Sequence, residues 1–152
     1  MSPLIEITPG TVALFLHGNV KGLALKLYRP GDEHRINART DFAADFAAAG
    51  KILPDGPKWT LSDGAVVLGV GGVEPLGQGC WAAWAYLAEM TARQWGFGVM
   101  MARAVLAFVR QSFWVTEIHA EAALAEGADK VLEKIGFIAC AQPRLYLMTG
   151  ES

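Results

Sequence analysis

The chain has 152 residues, which is enough for one domain with its own core and too few for two ordinary domains. Hydrophobic residues make up 53% and charged residues 18% of it, and the mean hydropathy is +0.28, so a disordered chain is excluded. The net charge of −2 provides no excess positive field for a nucleic-acid backbone. We therefore expect a single domain over residues 1–152 that binds neither DNA nor RNA.

The apolar stretches of the chain are too short to cross a membrane. The uncharged runs between Glu6 and Lys21 and between Glu74 and Glu89 fall short of the roughly 20 apolar residues that a spanning helix needs. The N-terminus has no basic region ahead of an apolar one, unlike a secretory signal. These features predict a cytoplasmic protein without a membrane-spanning segment.

Residues of the types that bind metals are scattered along the chain. Cys80 and Cys140 show no CxxC or Cys/His spacing, and the three histidines are also scattered along the chain. The cysteines fit small apolar positions in strands and are expected to be reduced. On this spacing the sequence predicts no metal site.

The first third of the chain carries the weaker secondary-structure patterns. Leu4–Ile7 predicts a short strand, and a turn at the following Pro-Gly-Thr predicts a short helix over Val12–His17. The segment Lys21–Tyr28 fits a helix or a strand. A capping pair of residues followed by alanines predicts a helix over Thr40–Gly50.

The middle of the chain changes to strands joined by turns. Trp59–Leu61 and Ala65–Val73 flank the turn Ser62–Gly64, and Asp-Gly between apolar runs is a strong hairpin signal. The turn Pro75–Gly79 leads into a third strand, Cys80–Ala88. These segments predict a three-stranded antiparallel meander.

The last third predicts a helix, a strand, a helix and a hairpin. The helices cover Val99–Val109 and Asp129–Ile135, with the strand Val115–Ala122 between them. Phe137–Ala141 and Leu145–Thr149 form the closing hairpin. This order predicts an α/β (α+β) layer fold.

A glycine-containing segment separates the third strand of the meander from the first helix of the last third. It reads Arg93, Gln94, Trp95, Gly96, Phe97 and Gly98. A helix N-terminus offers N–H groups and partial positive charge, and glycines let the backbone approach a phosphate. The segment is therefore either an anion-binding loop or a glycine turn required for tight packing of strand against helix.

Two motifs in this half of the chain resemble the GNAT N-acetyltransferase family. Arg93, Gly96 and Gly98 match its Q/R-x-x-G-x-G/A signature, and Val131–Phe137 looks like its LYEKLGF segment, about 40 residues further on. The resemblance implies a GNAT-like, mixed, mainly antiparallel central sheet with helices on both faces. The helix between Cys80–Ala88 and Val115–Ala122 requires these strands to be parallel, since a crossover returns the chain to the same end of the sheet. We expect the two strands to separate where the glycine segment begins.

The same resemblance implies acetyl-CoA as co-substrate, with its pyrophosphate at the glycine segment. The implied cofactor-binding residues are Leu87, Arg93, Gln94, Trp95, Gly96, Phe97, Gly98 and Val99. Leu87 marks the backbone N–H expected to stabilise an oxyanion. Trp95, inside the segment, is a candidate to cover the cofactor or to reach a partner.

Acetyl transfer to an amine also needs a proton acceptor and a proton donor. The candidate catalytic residues are Glu89, Tyr86 and Glu121. Glu121 alternates with Glu117 and His119 along one strand face, which also fits a solvated surface. Tyr146 is a second candidate acid, although both tyrosines also fit packed aromatic positions.

Two family positions differ in this chain. Leu132 stands where GNAT enzymes usually carry the tyrosine that protonates the thiolate, and Ala125–Gly127 stands where an asparagine is usual. The sequence therefore supports an acetyl-CoA-dependent N-acyltransferase acting on an unidentified small-molecule or protein amine. The alternative is a catalytically reduced GNAT-like domain that binds CoA or a protein partner.

A catalytically reduced domain of this kind resembles small phage- and prophage-encoded proteins. This resemblance implies that the chain is part of a virion or binds a host protein. A homodimer is also compatible with the sequence. A third and weaker interpretation is a structural domain without a ligand. The acceptor cannot be identified from these residues, because loop shape decides it.

Overall fold

The computed structural model describes residues 22–36, 47, 52–121, 128–142 and 144–150. The predicted strand Leu4–Ile7, the helix Val12–His17 and nearly all of the helix Thr40–Gly50 lie outside the described residues. So does the stretch Ala125–Gly127. Within the ambiguous segment Lys21–Tyr28, residues Leu23–Leu27 form a strand.

The described residues form one mixed sheet and two α-helices. The strands are β1 (Leu23–Leu27), β2 (Lys58–Asp63), β3 (Val66–Gly77), β4 (Cys80–Leu87), β5 (Glu117–Glu121), β6 (Ile138–Ala139) and β7 (Leu145–Thr149). The helices are α1 (Ala92–Ser112) and α2 (Ala128–Ile135), and a 3₁₀ turn covers Asp32–Arg35. The strand order is β1-β2-β3-β4-β5-β7-β6, and β4 and β5 are the parallel neighbours.

Glycines at the turns explain why β2, β3 and β4 form the predicted meander. Gly64 has a φ of 59° between β2 and β3, while Gly77 and Gly79 have φ of 97° and 79° between β3 and β4. Glycine adopts this left-handed backbone without steric cost. Both pairings are antiparallel, so the meander is confirmed, although β3 continues beyond its predicted end at Val73.

The parallel pairing of β4 with β5 is short. Cys80 pairs with Glu117, Trp81 with Ile118 and Ala82 with His119. Beyond these pairs, β4 continues against β3 as far as Leu87, and β5 continues against β7 as far as Glu121. The parallel pairing of these two strands and their separation ahead of the glycine segment are therefore confirmed.

The two described helices pack against the same cluster of buried side chains. The largest fully buried ones include Leu23, Met101, Val109 and Ile118. Trp59 meets Phe108 edge-on, with ring centroids 6.2 Å apart. Leu132 and Ile135 of α2 are partly buried against this cluster.

The start of α1 corrects the prediction that Arg93–Gly98 is a loop. The helix begins at Ala92 rather than Val99, because Thr91 and Gln94 form a capping box. The Gln94 N–H donates to Thr91 Oγ1 at 3.2 Å, and the Thr91 N–H donates to Gln94 Oε1 at 2.9 Å. The capping box gives hydrogen-bond partners to two backbone N–H groups at the helix end. It thereby offsets the low helix propensity of the two glycines, which costs about 1 kcal/mol each relative to alanine.

Two adjacent methionines test how far the α1 packing stabilises the fold. Met101 is 2% exposed and Met100 is 42% exposed. We expect Met101→Ala to lower the free energy of unfolding by about 2–5 kcal/mol, because it leaves a cavity in the core. Met100→Ala should stay within about 0.5 kcal/mol of the original chain. Urea unfolding measures both, and equal losses would contradict this packing.

Candidate active site

A cavity of about 620 Å³ lies where β4 and β5 separate. Side chains from both faces of β4 line it, since Ala83 and Trp84 alternate along the strand. α1 contributes Trp95 and Met101, and α2 contributes Leu132. The cavity therefore reaches both faces of the sheet, with the first turns of α1 along its wall.

The backbone of Leu87 is directed into the gap left by β5. The Ala88 N–H donates to Leu68 O at 2.8 Å, which makes the adjacent pair Gly69 and Leu87 a non-hydrogen-bonded pair of the ladder. In such a pair both N–H groups point away from the partner strand. The Leu87 N–H thus points toward the β5 side, where an acyl oxygen in the cavity can accept from it.

The N-terminus of α1 presents positive partial charge beside this cavity. The Trp95 N–H donates to Thr91 O at 2.9 Å, so the bonds within the helix begin there. Among the predicted cofactor residues, Arg93 and Gln94 therefore lie at the helix end itself. Gly98 and Val99 lie further along, and Phe97 is buried in the core.

The side chain of Asp63 lies at the same helix end. The sequence did not predict this contact. Asp63 Oδ2 accepts from Gln94 Nε2 at 3.0 Å and lies 3.8 Å from Arg93 NH1. The sequence indicated only a hairpin turn at this Asp-Gly pair. A carboxylate here stabilises the helix end and lies where an anionic ligand would compete for the same partial charge.

The two glycines of the motif have different surroundings. A Cβ at Gly96 would meet nothing within 4 Å, while one at Gly98 would lie 3.5 Å from Leu61 Cδ2. Gly96 is exposed. Neither glycine has a positive φ among the described backbone angles, so Gly96 leaves accessible surface on α1 without a conformational requirement of its own.

The candidate acid and base residues reach different places. Glu89 and Glu121 both line the cavity and are exposed. Arg144 NH2 donates to Glu121 Oε1 at 3.0 Å. Tyr86 lies outside the described lining of the cavity, with its ring centroid 5.6 Å from that of Trp84. The structure therefore places the two carboxylates, and not Tyr86, in the lining of the cavity.

Tyr146 also lies outside the described lining of the cavity. It is buried, and desolvation together with the charges of Asp129 and Glu133 raises the pKa of its phenol. Leu132, at the usual tyrosine position, lines the cavity. The cavity wall is thus apolar where the resemblance leads one to expect a phenol.

Further polar groups surround this region. The indole N–H groups of Trp59 and Trp84 are buried and have no hydrogen-bond partner among the described residues. Both residues line the cavity, and a buried unpaired donor costs about 1–3 kcal/mol.

A polar network follows β1 at the edge of the sheet. Burial, with hydrogen bonding to Glu33, raises the pKa of Tyr28 to about 12. The pKa of Glu33 is lowered, because hydrogen bonds from Tyr28 and the Gly31 backbone outweigh its desolvation. Buried Asp32 accepts from Thr60 Oγ1 at 2.7 Å. These groups hold the turn after β1 in place.

Glu117 and His119 lie on the sheet face opposite α1, as their alternation with Ile118 predicts. Ile118 is fully buried in the core cluster, while the other two side chains are half-exposed. The shared face predicted for Glu117, His119 and Glu121 is therefore confirmed. Trp81 faces the core, and Trp84 lies on the opposite face of β4.

Comparison with known proteins connects this fold to acetyltransferases. No family model and no curated protein sequence matches the chain. The structure of yncA from Salmonella typhimurium with acetyl-CoA matches over 86% of this chain and 95% of its own, with 11% identity and a TM-score of 0.61. A GNAT-family acetyltransferase from Bacillus anthracis matches over 87% and 97%, with 13% identity and a TM-score of 0.56.

A third solved structure holds a protein partner. It is a variant of the AtaT toxin bound to the C-terminus of the antitoxin AtaR, and it covers 84% of this chain and 92% of its own, with 15% identity and a TM-score of 0.53. At these identities the comparison shows the fold. The chain therefore has the mixed, mainly antiparallel fold of GNAT acetyltransferases.

No helix among the described residues is long and apolar enough to span a membrane.

Proposed function

We propose that the chain is an acetyl-CoA-dependent N-acyltransferase that acts on an amine. The observation that carries this proposal is the convergence of three features on one cavity. These features are the gap between β4 and β5, the Leu87 N–H directed into that gap, and the N-terminus of α1 beside it. This combination provides space for an acyl thioester, an N–H donor for its acyl oxygen and positive partial charge for its anionic tail.

The anionic tail of acetyl-CoA would bind at the beginning of α1. Arg93 adds a charge-assisted contact, and Gln94 adds an amide at the same end. Gly96 leaves room on the helix surface, and Trp95 lies in the cavity wall to cover the ligand. Phe97 contributes through the core packing that holds the helix in place.

The reactive end would lie in the gap between the strands. The amine nitrogen attacks the thioester carbon, and the developing oxyanion accepts from the Leu87 N–H. The carbon–sulfur bond then breaks, which yields an amide and the CoA thiol. Glu89 and Glu121 are the carboxylates positioned to accept the ammonium proton, directly or through water.

The alternative function is a domain that binds CoA or a protein without turnover. The apolar Leu132 in the cavity wall favours it, because no described tyrosine lines the cavity. The toxin–antitoxin neighbour is a protein of this fold that binds a protein partner. The cytoplasmic location, the homodimer, the acceptor amine and the resemblance to phage or virion proteins stay predictions.

Cofactor binding is tested most simply through Gly96. In a thermal-shift titration, acetyl-CoA at 100 times its dissociation constant should stabilise the original chain by about 2.7 kcal/mol. Gly96→Leu should keep the fold and lose this shift, because the side chain covers the surface where the ligand approaches. Met100→Ala, one turn further along α1, should retain it. No shift with the original chain would refute the proposed cofactor.

Asp63 should oppose the binding of CoA. We expect Asp63→Asn to strengthen acetyl-CoA binding about two- to five-fold, because a negative charge leaves the helix end. The same change should lower the stability of the ligand-free protein by about 0.3–1 kcal/mol. Calorimetric titration and urea unfolding measure these opposite signs.

Asp55→Asn is the matched control, since it removes an equal charge from an exposed residue before the start of β2, the end opposite Asp63. Its affinity should equal that of the original chain. Weaker binding by Asp63→Asn would show that the carboxylate assists the ligand, contrary to this assignment.

Leu132 should limit turnover. A positioned general acid contributes roughly 10²–10⁴ in rate, so the original chain should acetylate amines slowly even with acetyl-CoA bound. Leu132→Tyr should raise thiol release against a panel of amines, peptides and polyamines, while Leu132→Phe supplies the ring without the hydroxyl. Equal rates for the two variants would contradict an acid role, and CoA binding without turnover in all three would favour the binding domain.

A further inference from the structure

Three metal-ligating side chains meet across the β4–β5 ladder. The register places Cys80 directly opposite Glu117. His119 follows Glu117 by two residues and therefore lies on the same face of the sheet. The three residues belong to the paired part of these strands, which ends at Ala82 and His119.

The donor atoms of these side chains are already close together. One ligand atom from each lies within 4.8 Å of the other two. Cys80 Sγ is 3.7 Å and His119 Nε2 is 2.9 Å from Glu117 Oε1. Ligand atoms on a tetrahedral zinc ion are separated by roughly 3.3–3.8 Å, so small rotations of the side chains would suffice.

We propose that Cys80, Glu117 and His119 bind a zinc ion. Sulfur, imidazole nitrogen and carboxylate oxygen are the donor types that zinc takes, and a thiolate with a carboxylate neutralises its charge. The Thr116 hydroxyl lies 3.9 Å from Cys80 Sγ and donates to Gln78 O at 3.4 Å. All three ligands are half-exposed, which leaves a fourth coordination position for water.

The ion would connect β4 to β5 at the point where their pairing ends. It would lie on the sheet face opposite α1, whereas Arg93 and Gln94 belong to the α1 terminus. Binding to the folded state alone stabilises that state by mass action. The proposal is independent of acetyl-CoA, so either one can fail without the other.

Cobalt(II) is the spectroscopic probe for this site. Titration of the reduced protein with Co²⁺ should give a thiolate-to-metal charge-transfer band that saturates at one ion per chain. Cys80→Ser should abolish the band, and His119→Ala should weaken binding at least about tenfold, the smallest loss typical of an outer-shell partner. Cys140→Ser is the matched control and should keep the band, because Cys140 is the other free cysteine.

Absence of the band in the original chain, or its loss in Cys140→Ser alone, would overturn the proposal. A second measurement avoids variants that fail to fold. Iodoacetamide labelling of the original chain, read by peptide mass spectrometry, should show that Zn²⁺ protects Cys80 and not Cys140, and that EDTA reverses the protection. Equal labelling of Cys80 with and without Zn²⁺ would also overturn it.

Discussion

The end of the parallel pairing between β4 and β5 is the constraint on which the candidate site depends. A strand that continues past its neighbour leaves backbone groups directed into the gap, and such groups need partners. β4 can continue because β3 pairs with it to Leu87, and β5 can diverge because β7 pairs with it to Glu121. The cavity forms between these two continuous antiparallel ladders, and α1 connects the strands across one face.

Under the proposed function, the beginning of α1 would have to serve both stability and ligand binding, and the two requirements conflict. Thr91 and Gln94 satisfy end groups of the helix, and Asp63 adds a carboxylate that complements its partial charge. Each of these contacts stabilises the ligand-free helix. The proposed pyrophosphate would share that end with Asp63, so the affinity for CoA would depend on how easily Arg93 and Gln94 turn from the carboxylate to the ligand. Ionic strength should modulate this competition, because salt screens the charges.

Local signals predicted much of the fold, and the site depended on contacts between distant residues. The Asp63-Gly64 turn and the apolar runs gave the meander, and the helix between two strands gave their parallel order. The Thr-x-x-Gln capping pattern at Thr91–Gln94 was present in the sequence and would have moved the start of α1 to Ala92. The approach of Asp63 to Gln94 could not be inferred, because it depends on where the β2–β3 turn meets the helix. The meeting of Cys80 with Glu117 likewise follows from strand register, which spacing in the sequence does not encode.

Hydrogen–deuterium exchange with and without acetyl-CoA reports on the backbone N–H groups that define the proposed site. We expect slower exchange across Leu87 and the first turns of α1 when acetyl-CoA is added, with little change in β7, which contributes no residue to the described lining of the cavity. Saturating acetyl-CoA that leaves exchange in Leu87–Val99 unchanged, or that protects a different part of the chain, would contradict the assignment of this gap as the acyl-CoA site.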